Sequence, residues 1–97
     1  MKEPMYKIRV PQRIRELIRG MHPHLKRKIK ASIKIILSNP NEGKALKDGL
    51  AGLRSFRVGR LRIIYRVERN VIEIVAVGPR EGIYEETFLI LKKEGIH

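Results

Sequence analysis

Five arginines cluster in the second half of the chain: Arg54, Arg57, Arg60, Arg62 and Arg66. Guanidinium groups keep their protons and present planar forks of donors, which suits anion recognition better than proton transfer. Side chains alternate faces along a strand, so Arg62 and Arg66 share one face and Arg57 can join from a neighbouring strand. Like charges set opposite one another destabilise a sheet, and an anion would relieve them. The plainer reading is a solvated face paired with Glu68, Glu73 and Glu81. A second group, Gly78-Pro79-Arg80-Glu81-Gly82-Ile83-Tyr84, sets a guanidinium and a phenol near an expected helix start. Open N–H groups there favour anions, and the ring can stack on a base. Read plainly, Arg80 is a helix-end ion pair and Tyr84 fills core. A third group, Lys26, Arg27, Lys30 and Lys34, lies on one expected helix. Each phosphate neutralised there would steepen the salt dependence of binding, although such helix faces are usually just solvated.

The elements that must position these groups follow from hydrophobic periodicity. Tyr6–Val10 alternates like a short edge strand. Pro11 opens a helix at its favoured first position, with Ile14, Leu17, Ile18 and Met21 at helical spacing and Gly20 at its end. After His22-Pro23, a second helix carries Leu25, Ile29, Ile33, Ile36 and Leu37 on one stripe and stops at Asn39-Pro40. Residues 41–53 hold Gly43, Gly49 and Gly52 and read as a long connection with a turn of helix near Ala45-Leu46. A connection of that length in a small domain is often functional. Three strands follow, Arg54–Val58, Leu61–Val67 and Val71–Val77, joined by turns at Gly59-Arg60 and Arg69-Asn70. The third is almost wholly apolar, which predicts an interior strand buried on both faces. Gly78-Pro79 breaks it, and Gly82–Lys93 suits a C-terminal helix with Tyr84, Phe88 and Leu91 on one side. The expected fold class is α+β: an N-terminal strand, an αα-hairpin, a three-stranded antiparallel meander and a C-terminal helix, with helices covering one face of the sheet. One domain over residues 1–97 is the natural count.

Composition narrows the chemistry. The net charge is +12, from 22 Lys+Arg against 10 Asp+Glu, which points to nucleic acid and to an acidic protein as partners. There is no cysteine, so disulfides and thiolate chemistry are excluded. The three histidines, His22, His24 and His97, have no spaced cysteine or carboxylate partners, so no metal and no cofactor is expected. The first ten residues carry charges and a proline where a signal peptide needs an apolar run. No apolar run approaches the roughly 18 residues of a membrane span, and no helix carries an aromatic-rich membrane-binding face. The expected location is the cytoplasm.

The run from Leu53 to Val67, LRSFRVGRLRIIYRV, resembles the hallmark of the RelE/ParE toxin superfamily, a basic strand, a Val-Gly turn, then Tyr-Arg-aliphatic-aliphatic-Tyr, with Leu61 and Pro79 standing where a tyrosine and a histidine are more usual. Asn39-Pro40 with its glycine-bearing loop, and Gly78-x-Arg80 with Tyr84, extend the likeness over nearly the whole chain. The resemblance implies a toxin of a type II toxin–antitoxin system, silenced by an acidic antitoxin that wraps it in a hetero-oligomer. RelE-like members cleave mRNA in the ribosomal A site without metal; ParE-like members poison DNA gyrase. The RelE-type catalytic positions carry over as Arg57, Arg62, Arg80 and Tyr84. Arg54, Arg60, Arg66, Lys44 and Lys47 are the accompanying RNA-binding residues. Ser55 stands where RelE-type enzymes often have another basic residue, which leaves the general base unassigned. The resemblance therefore implies a ribosome-dependent mRNA endonuclease; a gyrase inhibitor and a non-catalytic RNA-binding domain stay open beside it.

Overall fold

Apolar strands flanked by amphipathic helices can bury their side chains only by stacking in layers, and the computed structural model, which describes residues 6–94, shows how this chain does so. The elements are β1 (Lys7–Arg9), α1 (Gln12–Arg19), α2 (Pro23–Ser38), β2 (Lys44–Ala45), a 3₁₀ turn (Asp48–Leu50), β3 (Leu53–Val58), β4 (Leu61–Glu68), β5 (Val71–Pro79) and α3 (Arg80–Lys93). His97 and the first five residues of the N-terminal stretch tested against a signal peptide lie outside the described residues.

The five strands form one sheet in the order β1-β5-β4-β3-β2. β2, β3, β4 and β5 run antiparallel, and β1 joins β5 in parallel. The expected meander is present. The connection before it differs from expectation: Lys44–Ala45 pairs with β3 as a strand, and the helical turn comes later, at Asp48–Leu50. Two residues carry no readable periodicity, and the pairing is made by distant partners. Pro11 precedes the first residue of α1, and it is Pro23 that starts α2 at the favoured first position. His22 caps that helix, its Nδ1 accepting from the His24 N–H at 3.1 Å.

Helices lie on both faces of the sheet, not one. Ile14 and Ile18 of α1 and Ile29 and Ile36 of α2 pack with Val58, Ile63, Tyr65, Ile72, Ile74 and Val77. Ile83 of α3 packs with Leu53, Ile64, Val75 and Ala76 on the opposite face. The reason lies in β5. Its interior position leaves apolar side chains on both sides, and each side needs a cover. A bulge shifts the register between Ile64 and Tyr65, so that Val75 and Ala76 both serve the α3 side. The Arg13 guanidinium donates to the Val75 carbonyl at 2.7 Å, tying α1 to the irregular point. Along α3 the buried residues are Ile83 and Thr87, with Tyr84, Ile90 and Leu91 packed beside them; of the expected Tyr84-Phe88-Leu91 line, Phe88 departs, at 49% exposed.

Candidate functional site: an arginine-lined cleft

Alternation along β3 sends Leu53, Ser55 and Arg57 to the α3 face, because Phe56 and Val58 belong to the core on the other side. Register then sets Arg57 directly opposite Arg62, and Ser55 opposite Ile64. Gly59, at φ +61°, turns the chain between them; a side chain there would be strained. Arg62 faces Gly78 on β5, two residues before α3 begins at Arg80. The sheet thus delivers guanidinium groups from β3, β4 and the start of α3 to one spot. They line a cleft of about 500 Å³ with Arg60, Leu61, Pro79 and Glu81. Its guanidinium groups, from Arg57, Arg60, Arg62 and Arg80, face Glu81 as the sole lining carboxylate. No side chain caps the N-terminus of α3; the Arg80 N–H donates to the Arg60 carbonyl at 3.4 Å, and the amides that follow it, unpaired by any cap, are available to an anion.

A second hollow of about 350 Å³ continues from the first and shares Arg62 and Arg80. Its other walls are Tyr84, Lys44, Lys47, Asp48, Leu46 and Leu50. Lys44 reaches it because β2 sets that residue opposite Ser55. Ser55 is 2% exposed and lies between the two key side chains: its Oγ is 3.2 Å from the Tyr84 hydroxyl and 3.4 Å from Nη1 of Arg62. A small hydroxyl here ties the tyrosine to the arginine cluster, where a larger basic side chain would have projected into the cleft.

The expected site residues therefore divide. Arg57, Arg60, Arg62, Arg80, Tyr84, Lys44 and Lys47 come together in the paired hollows. Arg54 points to the other side of β3 and donates to the carbonyls of Gly43, at 2.6 Å, and Asn41, at 3.3 Å. Arg66 shares the α3 face but sits at the far end of β4, held by Glu73 at 2.8 Å with Glu94 at 3.7 Å. That pairing is the plainer reading of the arginine set, realised at one position. Asp48 and Ser55 join the site without having been read as site residues. Asp48 sits in the left-handed region at φ +57°, which its position before Gly49 does not announce.

The profile of the family described as "ParE toxin of type II toxin-antitoxin system, parDE" matches residues 9–84. This chain belongs to that family. It is thus a type II toxin of the RelE/ParE superfamily, and the likeness seen in its strand motif is carried through the fold. Its structure is similar to the toxin–antitoxin complex RelBE2 from Mycobacterium tuberculosis at 25% identity, covering 78% of this chain and 99% of that one, with a TM-score of 0.68. A free-state mutant of the Escherichia coli toxin RelE superposes with a TM-score of 0.75 at 17% identity, covering 95% and 99% of the two chains. The Staphylococcus aureus YoeB–YefM complex aligns with a TM-score of 0.63 at 23% identity, over 75% of this toxin and 94% of its counterpart. Among curated proteins none matches. No helix among the toxin's described residues is long and apolar enough to cross a membrane.

Proposed function

We propose that this toxin is a metal-independent endoribonuclease that cleaves mRNA on the ribosome in the cytoplasm, acting as one domain over residues 1–97. The observation that carries the reading is the convergence of Arg57, Arg62 and Arg80 on one cleft, with Tyr84 alongside. In metal-free cleavage the ribose 2′-oxygen attacks the adjacent phosphorus, its proton passes to a base, and the 5′-oxygen leaves and takes up a proton. The products are a 2′,3′-cyclic phosphate and a 5′-hydroxyl. Arg62 and Arg80 are suited to stabilise the added charge on phosphorus, since charge-assisted donors fixed in advance are worth several kcal/mol to a transition state. Arg57 holds the scissile phosphate from the strand edge, and Tyr84 stacks on or orients a base. A guanidinium is a poor base. Lys44 and Lys47 line the shared hollow with Tyr84 and are the candidates to take the 2′-hydroxyl proton. Much of the rate then rests on holding the three reacting atoms in line, which the ribosome assists.

The partner that silences such a cleft is an acidic antitoxin. The +12 charge favours it, and related structures were solved as toxin–antitoxin complexes. A groove of about 380 Å³ with Val10, Ile18 and Ile33 on its floor is rimmed by Arg15, Arg19, Lys26 and Lys30, which suits an amphipathic acidic helix.

Primer extension on programmed ribosomes tests the nuclease reading. The wild-type toxin should cut the message in the A site, and Arg62→Ala and Arg80→Ala should each lower the rate by about 10²-fold or more. Equal cutting by those variants would refute their assignment, and no cutting by the wild type would refute the nuclease. The family profile, described as that of ParE, favours a second reading: a gyrase poison. Accumulation of cleaved plasmid in a gyrase supercoiling reaction, with translation unaffected, would select it.

A further inference from the structure

The segment that brings Lys44 and Lys47 over the cleft has a slender hold at the front: a two-residue ladder with β3, the Leu46 N–H donating to the Leu53 carbonyl at 2.9 Å, and Leu46 and Leu50 packed on the α3-side core. β2 is two residues long and is an edge strand, and the 3₁₀ turn after it contains no buried residue. A second anchorage comes from behind. The Tyr65 side chain, fully buried on the α1–α2 side of the sheet, donates its hydroxyl hydrogen to the Pro40 carbonyl at 2.7 Å. The same oxygen accepts from the Gly43 N–H at 2.9 Å. Arg54 grips the next carbonyls, Gly43 at 2.6 Å and Asn41 at 3.3 Å. Gly43 permits this approach because it has no side chain: a Cβ there would lie 2.6 Å from the Tyr65 hydroxyl oxygen and 3.1 Å from the Ser55 carbonyl oxygen. Residues 40–43 are therefore held at each end and in the middle, and the chain leaves this clamp directly into Lys44.

We propose that Tyr65 and Arg54 are positioning residues that clamp residues 40–43 and so set Lys44 and Lys47 beside Arg62, Arg80 and Tyr84 for contact with RNA. The inference rests on the RNA reading of the cleft. It gives Arg54 a role behind the site instead of on the nucleic acid. Arg54 and Tyr65 reach the segment from neighbouring strands β3 and β4, where their Cα atoms are paired, so both grips move with the sheet. Neither side chain lines either hollow.

The test uses a short labelled single-stranded RNA and the full chain. Tyr65→Phe keeps the buried ring and removes both hydrogen bonds of the hydroxyl. Arg54→Met, on a half-buried side chain, removes the other grip and leaves the core intact. Circular dichroism checks that each variant folds. Each should bind the RNA about five-fold more weakly. Amide exchange over residues 41–47 should speed up. The slope of log affinity against log salt should fall toward that of Lys44→Ala/Lys47→Ala, which is expected to be about 1.4 shallower than wild type for two phosphate contacts on a single strand. In the Lys44→Ala/Lys47→Ala background, Tyr65→Phe should cause no further loss of affinity, because the groups it positions are gone. An equal loss in that background, or unchanged affinity despite faster exchange, overturns the positioning role. Unchanged exchange over residues 41–47 overturns the clamp itself. A wild-type toxin that fails to bind the RNA overturns the RNA reading instead, and the exchange result then shows separately whether the clamp exists.

Discussion

Neutralising Arg57 should make the free toxin more stable while weakening its action on RNA. Arg57 is exposed and its Cα is paired with that of Arg62 across β3 and β4. Directly opposed strand residues have Cβ atoms about 5 Å apart. Long side chains splay, and two unit charges ~8 Å apart at the dielectric of water repel by about 0.5 kcal/mol. Arg60 and Arg80 line the same cleft and add to the repulsion. Its Nε–H bond to the Gly59 carbonyl, 3.2 Å and exposed, can be replaced by water. Arg57→Gln should therefore raise stability by roughly 0.5–1 kcal/mol at low salt. For a domain of this size that is a rise in melting temperature of about 2–8 °C. Ions screen such charges over about 10 Å at 0.1 M and about 3 Å at 1 M, so the gain should shrink with salt and vanish near 1 M. Thermal unfolding by circular dichroism across that salt range measures it. Arg66→Gln is the contrast: it breaks a part-buried ion pair with Glu73 and should lower the melting temperature. A lower melting temperature for Arg57→Gln, or a gain that ignores salt, would refute the claim that the cleft concentrates unbalanced positive charge.

Gly43→Ala should destabilise the fold by about 1–3 kcal/mol in urea unfolding, because the added methyl meets the buried Tyr65 hydroxyl and Ser55 carbonyl. Ser55→Ala should cost about 1 kcal/mol by the same measurement and release Tyr84, visible as a faster-moving ring in NMR relaxation. Burial holds the Tyr65 hydroxyl above the ordinary tyrosine range, outweighing the Gly43 N–H and the Arg54 charge that pull it down. The folded state thus keeps this proton longer than the unfolded chain does. The associated stability is complete below about pH 10 and is lost as pH rises through the folded-state value. Wild type should therefore lose more stability above about pH 10 than Tyr65→Phe, in paired urea titrations.

Periodicity alone placed most of the elements. An apolar residue every third or fourth position marks Ile14-Ile18 and Ile29-Ile36 as the buried faces of α1 and α2, and the unbroken apolar run of β5 marks an interior strand. The side-chain alternation that sets Arg57 opposite Arg62 is likewise local, since it follows once a two-residue turn at Gly59-Arg60 is accepted. The type and spacing of the strand arginines were enough to nominate an anion site, and the family resemblance narrowed it to Arg57, Arg62, Arg80 and Tyr84. Other features depend on which distant segments meet, and local pattern holds no record of that. The two residues of β2 become a strand only through β3. Phe88 is exposed and Thr87 buried because the rotation of α3 is set by packing against β5 with its bulge. Arg54 and Arg66 look equivalent to Arg57 and Arg62 in the sequence, yet one anchors a loop and the other pairs with Glu73. A guanidinium takes whichever partner the fold brings within reach, and only tertiary structure decides whether it meets a carbonyl or a carboxylate or lines a cleft.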